Sequence, residues 1–446
     1  MESPIQYPTV LPQPATPQPA TQQPAAPQPL PGQWLRLDEA RLLLRRQLRC
    51  CVSAESVPLS AALNRILAED VMAPVDLPHQ DRSAVDGYAV RAADLIAGRP
   101  TLLLIAGQAA AGHPLNLPAA VPEMTGGAVR IFTGATVPEG FDTVIQQEAC
   151  RSDGIIVTIP AGIARGGNVR LRGEDYRMGM RALPQGHRLR PRDLGLAAAL
   201  GLPALPVYRR LRVALFSTGD ELLDPETQPF DGALSVGQSW DANRYMLKAQ
   251  LIELGCEVSD FGILPDRLGK TIGALAEAAH DHDFIVTSGG MSVGDEDYVK
   301  HVIRRRGHLE LWRLAIKPGR PVGFGDIDDC PILALPGNPV AAAVTFIMLG
   351  SLAVARLSGS GENLPRGFQV MADFSLNKLA GRREFLPAIL DMQEGGPSSA
   401  TPVAKKGSAM LSALTWSDGL IDLPEEIARV APGDNIHFIP FRQPGF

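Results

Sequence analysis

Leu42, Leu43, Leu44 and Leu48 recur among Arg and Glu over residues 37–49, and this spacing predicts an amphipathic helix with Asp38 near its start. Residues 65–78 read as short and extended. Between residues 80 and 174 the pattern changes to brief apolar runs at 101–106, 128–132, 143–147 and 154–159, separated by Gly and Pro. That predicts a small, mostly β unit built around loops. A helix near residues 193–200 leads to a strand at 212–216, and from there strand, loop and helix alternate. Helices are expected at 244–254, 270–280 and 298–305 and after Pro339. Strands are expected at 257–263, 284–287, 309–316, 322–324 and 332–335. This is the signature of a doubly wound α/β domain with a parallel sheet, spanning about 150 residues. After Gly361 the short strands return, including 384–390 and 435–441, and suggest a small C-terminal β-barrel.

Residues 1–33 break all of these patterns. They are Pro, Gln, Ala and Thr with Glu2 the single charge, too poor in apolar side chains to offset the entropy of ordering, and a disordered or polyproline-like tail is expected. The longest apolar run, residues 340–355, is interrupted by Thr345, Gly350 and Ser351. It falls short of the roughly twenty residues that span a bilayer, so a buried helix is expected and no membrane role.

Composition changes little. With 446 residues there is room for two to four domains. Forty-two Lys and Arg against 48 Asp and Glu give a net charge of −6, which argues against nucleic-acid binding through a global basic field. An anionic ligand needs a local cluster of cations or backbone amides. Five scattered cysteines without a CxxC pair point away from disulfides and structural zinc. No secretory signal is visible, and a cytoplasmic location is expected.

In a doubly wound sheet, ligands lie beyond the carboxyl ends of the strands. Four loops there share an unusual composition: 217–221 (STGDE), 287–294 (TSGGMSVG) followed by Asp295, Glu296 and Asp297, 317–321 (KPGRP), and 335–339 (LPGNP). Glycines allow close backbone approach to an anion, and a following helix N-terminus adds partial positive charge. The SGGMSVG loop reads as a phosphate cradle, or as a βα turn that needs small residues. Lys317 and Arg320 can aim two cations at one oxyanion, or be a solvated pair. The acids, Glu221 and Asp297 among them, can ligate Mg²⁺ or cap helices. Convergence of cradle, cations and carboxylates on one sheet edge favours the ligand reading. Residues 280–283 (HDHD) look metal-like but fall at a helix end. Cys50 and Cys51 have no His in view, and no GxSxG or other triad signature is present.

Taken in order, SAVDGYAV, RIFTGATVPEG, LRGED, FSTGDEL, SGGMSVGDEDY, IKPGRP and LPGNP closely resemble the MoeA and gephyrin E-domain family, the molybdopterin molybdenumtransferases. The likeness runs from about Trp34 to Phe441. The resemblance implies an elongated domain of two segments (34–78 and 176–209), an inserted β domain (79–175), a MogA/MoaB-like molybdopterin-binding α/β domain (210–360) and a C-terminal β-barrel (361–446). It implies a homodimer with the active site across the subunit interface, and an Mg²⁺-dependent reaction in which adenylyl-molybdopterin and molybdate give molybdenum cofactor and AMP. An adenylyltransferase and molybdoenzyme apoproteins are the further partners implied.

Residues matching the family's functional positions are Asp86 and Thr133 of the inserted domain and Asp175 of LRGED. From the α/β domain come Glu221, Asp266, Asp297, Arg313, Lys317 and Arg320, with Ser288, Gly289, Gly290, Ser292, Pro321 and Asn338 in its loops. Arg382 and Ser408 come from the barrel. Lys317, Arg320, Arg382 and Ser408 are expected to bind the oxyanion. Glu221, Asp266 and Asp297 are expected to contact metal or pterin, with Glu221 and Asp297 as metal ligands, and Asp86 to complete the site across the dimer. Three residues depart from the family's usual pattern. Val85 stands where Met is usual, Arg313 where Lys is frequent, and Ala341 where Ser is common, one hydroxyl fewer for the oxyanion. The alternatives are a non-catalytic or impaired paralogue acting as a molybdopterin-binding scaffold, and a homologue preferring tungstate.

Overall fold

The structure, a computed structural model, describes residues 34–115, 126–228, 234–264, 267–290, 298–319, 321–361, 365–392, 398–403 and 410–441. The Pro/Gln-rich segment 1–33 lies outside them.

Val213 and Leu215 alternate with Ala214 and Phe216 along the Arg212–Thr218 strand, and each pair is buried in a different apolar cluster. A strand apolar on both faces must be covered on both, which the flanking helices do. The sheet has seven strands in the order Trp34–Leu35, Leu309–Leu314, Val322–Ile327, Cys330–Leu335, Phe284–Ser288, Arg212–Thr218, Glu257–Leu264. The last four are mutually parallel. Val322–Ile327 instead runs antiparallel to both neighbours, a departure from the all-parallel expectation. The reason is local. Asp328 and Asp329 adopt φ of 49° and 68° and close a two-residue hairpin, whereas a parallel connection needs a crossover of a dozen residues or more.

The Leu37–Gln47 helix turns Leu37, Ala40 and Leu44 into the same core as Val213 and Phe346. Residues 339–357 form one continuous helical stretch with a π-turn at Phe346–Gly350, where a side chain on Gly350 would meet the Phe346 ring at 2.4 Å. By length and composition its 19 residues are apolar enough to cross a membrane, but 83% of that stretch is packed inside the protein. It is a core helix, as its sequence suggests.

The two segments on either side of the inserted sheet are joined by antiparallel pairs. Ala54–Pro58 pairs with Ala204–Tyr208, and Val71–Met72 with Arg181–Leu183, over a core that includes Leu67, Leu189 and Val207. Between these segments lies a six-stranded sheet in the order Thr143–Gln146, Gly87–Val90, Gly127–Ile131, Thr101–Ala109, Ile156–Ile159, Arg151–Ser152. Five C-terminal strands, Arg383–Asp391, Ser399–Pro402, Phe368–Ala372, Asn435–Pro440 and Gly419–Leu423, close on themselves as a barrel and so leave no free edge. The strand expected at 309–316 is divided between two sheets. Leu309–Leu314 stays in the large sheet, while Ile316–Lys317 pairs parallel with Arg383–Asp391 and joins the α/β unit to the barrel.

Candidate active site

Arg212–Thr218, Phe284–Ser288 and Cys330–Leu335 are neighbouring parallel strands, so their carboxyl ends and the loops that follow share one edge. The loops interlock through one backbone bond and the side chain of Asn243. The Gly289 N–H donates to the Leu335 carbonyl at 3.1 Å, and the Asn243 Nδ2 donates to Ser288 Oγ and the Gly337 carbonyl, both at 2.7 Å. Gly289 has φ +88°, and a Cβ there would lie 2.6 Å from the Thr218 carbonyl. Only glycine lets the first and second loops approach this closely. Gly290 follows in the same left-handed conformation at φ +69°. Ser288 is 2% exposed and bonded to Asn243, so its side chain supports the loop from beneath. Asn338 Oδ1 accepts from the Ala341 N–H at 3.2 Å and caps the following helix, in whose first turn Ala341 is buried.

Glu221 is exposed past the first of these strands. Beneath its loop, Arg244 is 4% exposed and donates to three carboxylates: Asp241 at 3.0 Å, Asp260 at 2.6 Å and Asp224 at 2.6 Å. Burial pulls the Arg244 pKa down, but these partners outweigh it and hold it above the ordinary guanidinium value. Tyr245 Oη donates to Asp224 at 2.6 Å, and that bond pushes the phenol up to about 12. The network ties the start of the Ala242–Glu253 helix to the GDEL loop.

No group of three or more His, Cys, Asp or Glu side chains among the described residues is placed to hold a metal. Mg²⁺ commonly takes one or two carboxylates, with water and substrate phosphates for the rest. A single exposed Glu221 beside a glycine-rich strand-end loop fits that donor set.

Lys317 is 61% exposed along its side chain, with Nζ 3.4 Å from Glu384, whose carboxylate is 6% exposed. The adjoining Gly319 has φ +134°, and a Cβ there would strike Ile316 at 2.6 Å. Arg313 is exposed and in register with Trp34, and the Arg382 guanidinium lies over the Trp34 ring at 5.4 Å. Trp34 thus neighbours both positions, Arg313 through strand register and Arg382 through its ring. Pro321 is half-buried at the end of the KPGRP loop.

Asp86 and Thr133 meet in the loops flanking two paired strands of the inserted sheet, just before Gly87–Val90 and just after Gly127–Ile131. Asp86 Oδ1 accepts from the Thr133 N–H at 2.8 Å and from its hydroxyl at 2.7 Å, and these bonds hold the carboxyl below the usual carboxylate range. Arg130, stacked over Tyr88 and Phe132, donates to the Gly87 carbonyl at 3.0 Å. Asp175 is exposed, its N–H donating to the Leu77 carbonyl at 3.1 Å. Asp266, Ser292, Asp297, Arg320 and Ser408 lie outside the described residues. The HDHD segment holds no ligand set: His280 is 88% exposed, and Asp283 is bound to Arg209. Sequence reasoning missed Asn243, Arg244 and Glu384. An Asp-x-Asn-Arg run at the start of a helix after the GDEL loop was the available signal for the first two, and a lone Glu in an apolar barrel strand for the third.

Three family models cover this architecture in order: "MoeA N-terminal region (domain I and II)" over residues 35–201, "Probable molybdopterin binding domain" over 214–355, and "MoeA C-terminal region (domain IV)" over 369–441. The chain is 38% identical to the molybdopterin molybdenumtransferase of Haemophilus influenzae over 91% of its own length and 98% of the relative's. The chain belongs to the MoeA family. Molybdopterin molybdenumtransferase 2 of Mycobacterium tuberculosis is 36% identical over 90% of this chain and 98% of that protein. The crystal structure of a MoeA protein from Pyrococcus horikoshii superposes with a TM-score of 0.78 at 28% identity, covering 92% of this chain and all of that one. Within the MoeA architecture the interlocked strand-end loops fall in the segment matched as molybdopterin binding, and the Asp86–Thr133 pair in the segment matched as domains I and II.

Proposed function

We propose that this MoeA-family chain is a molybdopterin molybdenumtransferase of molybdenum cofactor biosynthesis, inserting molybdenum from molybdate into adenylyl-molybdopterin with release of AMP. The observation that carries this reading is similarity over about nine-tenths of the chain to relatives bearing that name, supported by the close packing of Gly289 against Thr218 at the strand ends.

The chemistry asks the protein to position two anions and neutralise them, and no protein nucleophile is required. The Gly290 backbone amide faces the phosphates, since the Gly289 N–H is bonded to the Leu335 carbonyl. Lys317, Arg320, Arg382 and Ser408 gather around the molybdate dianion, Arg313 adds charge at the rim, and Asp266 contacts the pterin. Glu221, with Asp297, would hold Mg²⁺, which when bound offsets the phosphate charge. Asp86, Thr133 and Asp175 of one protomer complete the site formed by the α/β loops of the other, so the working unit is a homodimer. The enzyme acts in the cytoplasm, downstream of an adenylyltransferase and upstream of molybdoenzyme apoproteins. The test is AMP release from adenylyl-molybdopterin and Mg²⁺ with and without molybdate. Tight pterin binding without molybdate-dependent release would leave the scaffold reading in its place.

A further inference from the structure

A second cationic site lies away from these loops, in a shallow solvent-open cleft between the segments around the inserted sheet and the α/β unit. Four arginines line it: Arg65, Arg188, Arg209 and Arg210. Two are matched by carboxylates. Arg65 pairs with Glu55, and Arg209 binds Asp283 through both terminal nitrogens at 2.6 and 2.8 Å.

The other two are not matched. Arg188 Nη1 donates to the Asn64 carbonyl at 3.2 Å, and Arg210 Nη1 donates to the Gly255 carbonyl at 3.0 Å. Among the described residues neither has a carboxylate partner. Both Nη1 atoms lie beside Gly255: a Cβ built there would lie 3.2 Å from Arg188, 3.6 Å from the Asn64 carbonyl and 3.7 Å from Arg210, so the two guanidinium groups are close neighbours. Gly255 has φ +86°, at the C-terminal end of the Ala242–Glu253 helix. Burial pulls the Arg188 pKa down, and the charge of Arg210 adds to the effect. The helix end offers only about half an elementary negative charge against two full positive ones. The neighbouring Cys256 cannot supply the rest, because burial pushes its thiol up to about 12 and keeps it neutral.

Two neighbouring guanidinium groups with N–H donors to spare, and with no carboxylate partner among the described residues, form a donor set that recognises a tetrahedral oxyanion. We infer that Arg188 and Arg210 form a binding site for a phosphate-class dianion, either a free ion or the phosphate group of a larger metabolite, separate from the strand-end loops. Because Asn64 and Arg188 belong to the segments around the inserted sheet and Gly255 to the α/β unit, the bound anion clamps the two together. Its binding therefore stabilises the folded chain.

The experiment is thermal unfolding of the full-length protein titrated with inorganic phosphate, against sodium chloride at matched ionic strength, and repeated with AMP as the phosphate monoester. The expected result is a saturable rise in the unfolding midpoint of about 2 °C at about 10 mM phosphate. That rise should be lost in Arg188→Gln and in Arg210→Gln and retained in Lys317→Ala. A rise with AMP at lower concentration, lost in the same variants, would identify the phosphate of a metabolite as the occupant. A rise no larger than that with chloride, or one that survives in both glutamine variants, would overturn the proposal. Should either glutamine variant fail to fold, calorimetric titration of the unaltered protein and Lys317→Ala with phosphate decides the matter. There the Arg188→Lys and Arg210→Lys variants, which keep the charge but lose the guanidinium fork, are titrated beside the unaltered protein: weakened phosphate binding in both supports the site, and binding equal to that of the unaltered protein refutes it.

Discussion

Asp86 spends one carboxylate oxygen on the two donors of Thr133, which fixes its orientation and leaves the other oxygen for a ligand. Asp86→Asn should keep the fold and lower AMP release by about 100-fold or more, the size expected when a positioned charge is removed from a reaction site. Steady-state assay together with circular dichroism checks both halves. The pH dependence follows from the depressed pKa. The Thr133 contacts contribute in full above the ordinary carboxylate value near 4 and are lost as pH falls through the lower folded value. A pH–rate profile should therefore show no loss assignable to Asp86 between about pH 5 and 8. The next residue is constrained differently. A Cβ on Gly87 would lie 1.9 Å from the Ile145 carbonyl, in the middle of the inserted sheet. Gly87→Ala should destabilise that sheet by about 2–3 kcal/mol in denaturant unfolding.

The α/β loops work as one element because Gly289 bonds to Leu335, the Asn243 side chain bridges Ser288 and Gly337, and Gly289 packs against Thr218. Gly289→Ala would force a Cβ against the Thr218 carbonyl, so affinity for molybdopterin should fall by about tenfold or more in a fluorescence titration while the barrel stays intact. The α/β helices and strands were legible because burial on both faces writes apolar runs flanked by glycine turns, and the STGDE, SGG and LPGNP loops could be placed at strand ends from spacing alone. The strand at Gly87–Val90 was not, since four residues with a glycine carry too little β signal. Nor was the antiparallel reversal at Val322–Ile327, which depends on two aspartates adopting positive φ. Glu384 was hidden for another reason. Its partner Lys317 is 67 residues away, and the two meet only because Ile316–Lys317 leaves one sheet to join another.

Asp86 and Thr133 stand in loops beside one sheet, Glu221 and the glycine loops beside another, and Lys317 where the second meets the barrel. A site built across a homodimer predicts complementation. Mixing Asp86→Asn with Lys317→Ala subunits under conditions that exchange protomers should restore about a quarter of normal activity, since half the dimers are mixed and one site in each is intact. No recovery would place the whole site within one chain. Removing residues 1–33 should leave turnover unchanged, because a segment so poor in apolar residues adds nothing to a core. The most direct test of the account is AMP release from adenylyl-molybdopterin and Mg²⁺ by the purified protein, with molybdate present or absent. The account predicts AMP release that depends on molybdate and yields cofactor able to activate an apo-molybdoenzyme. Release indifferent to molybdate, or none at all despite tight pterin binding, would contradict it.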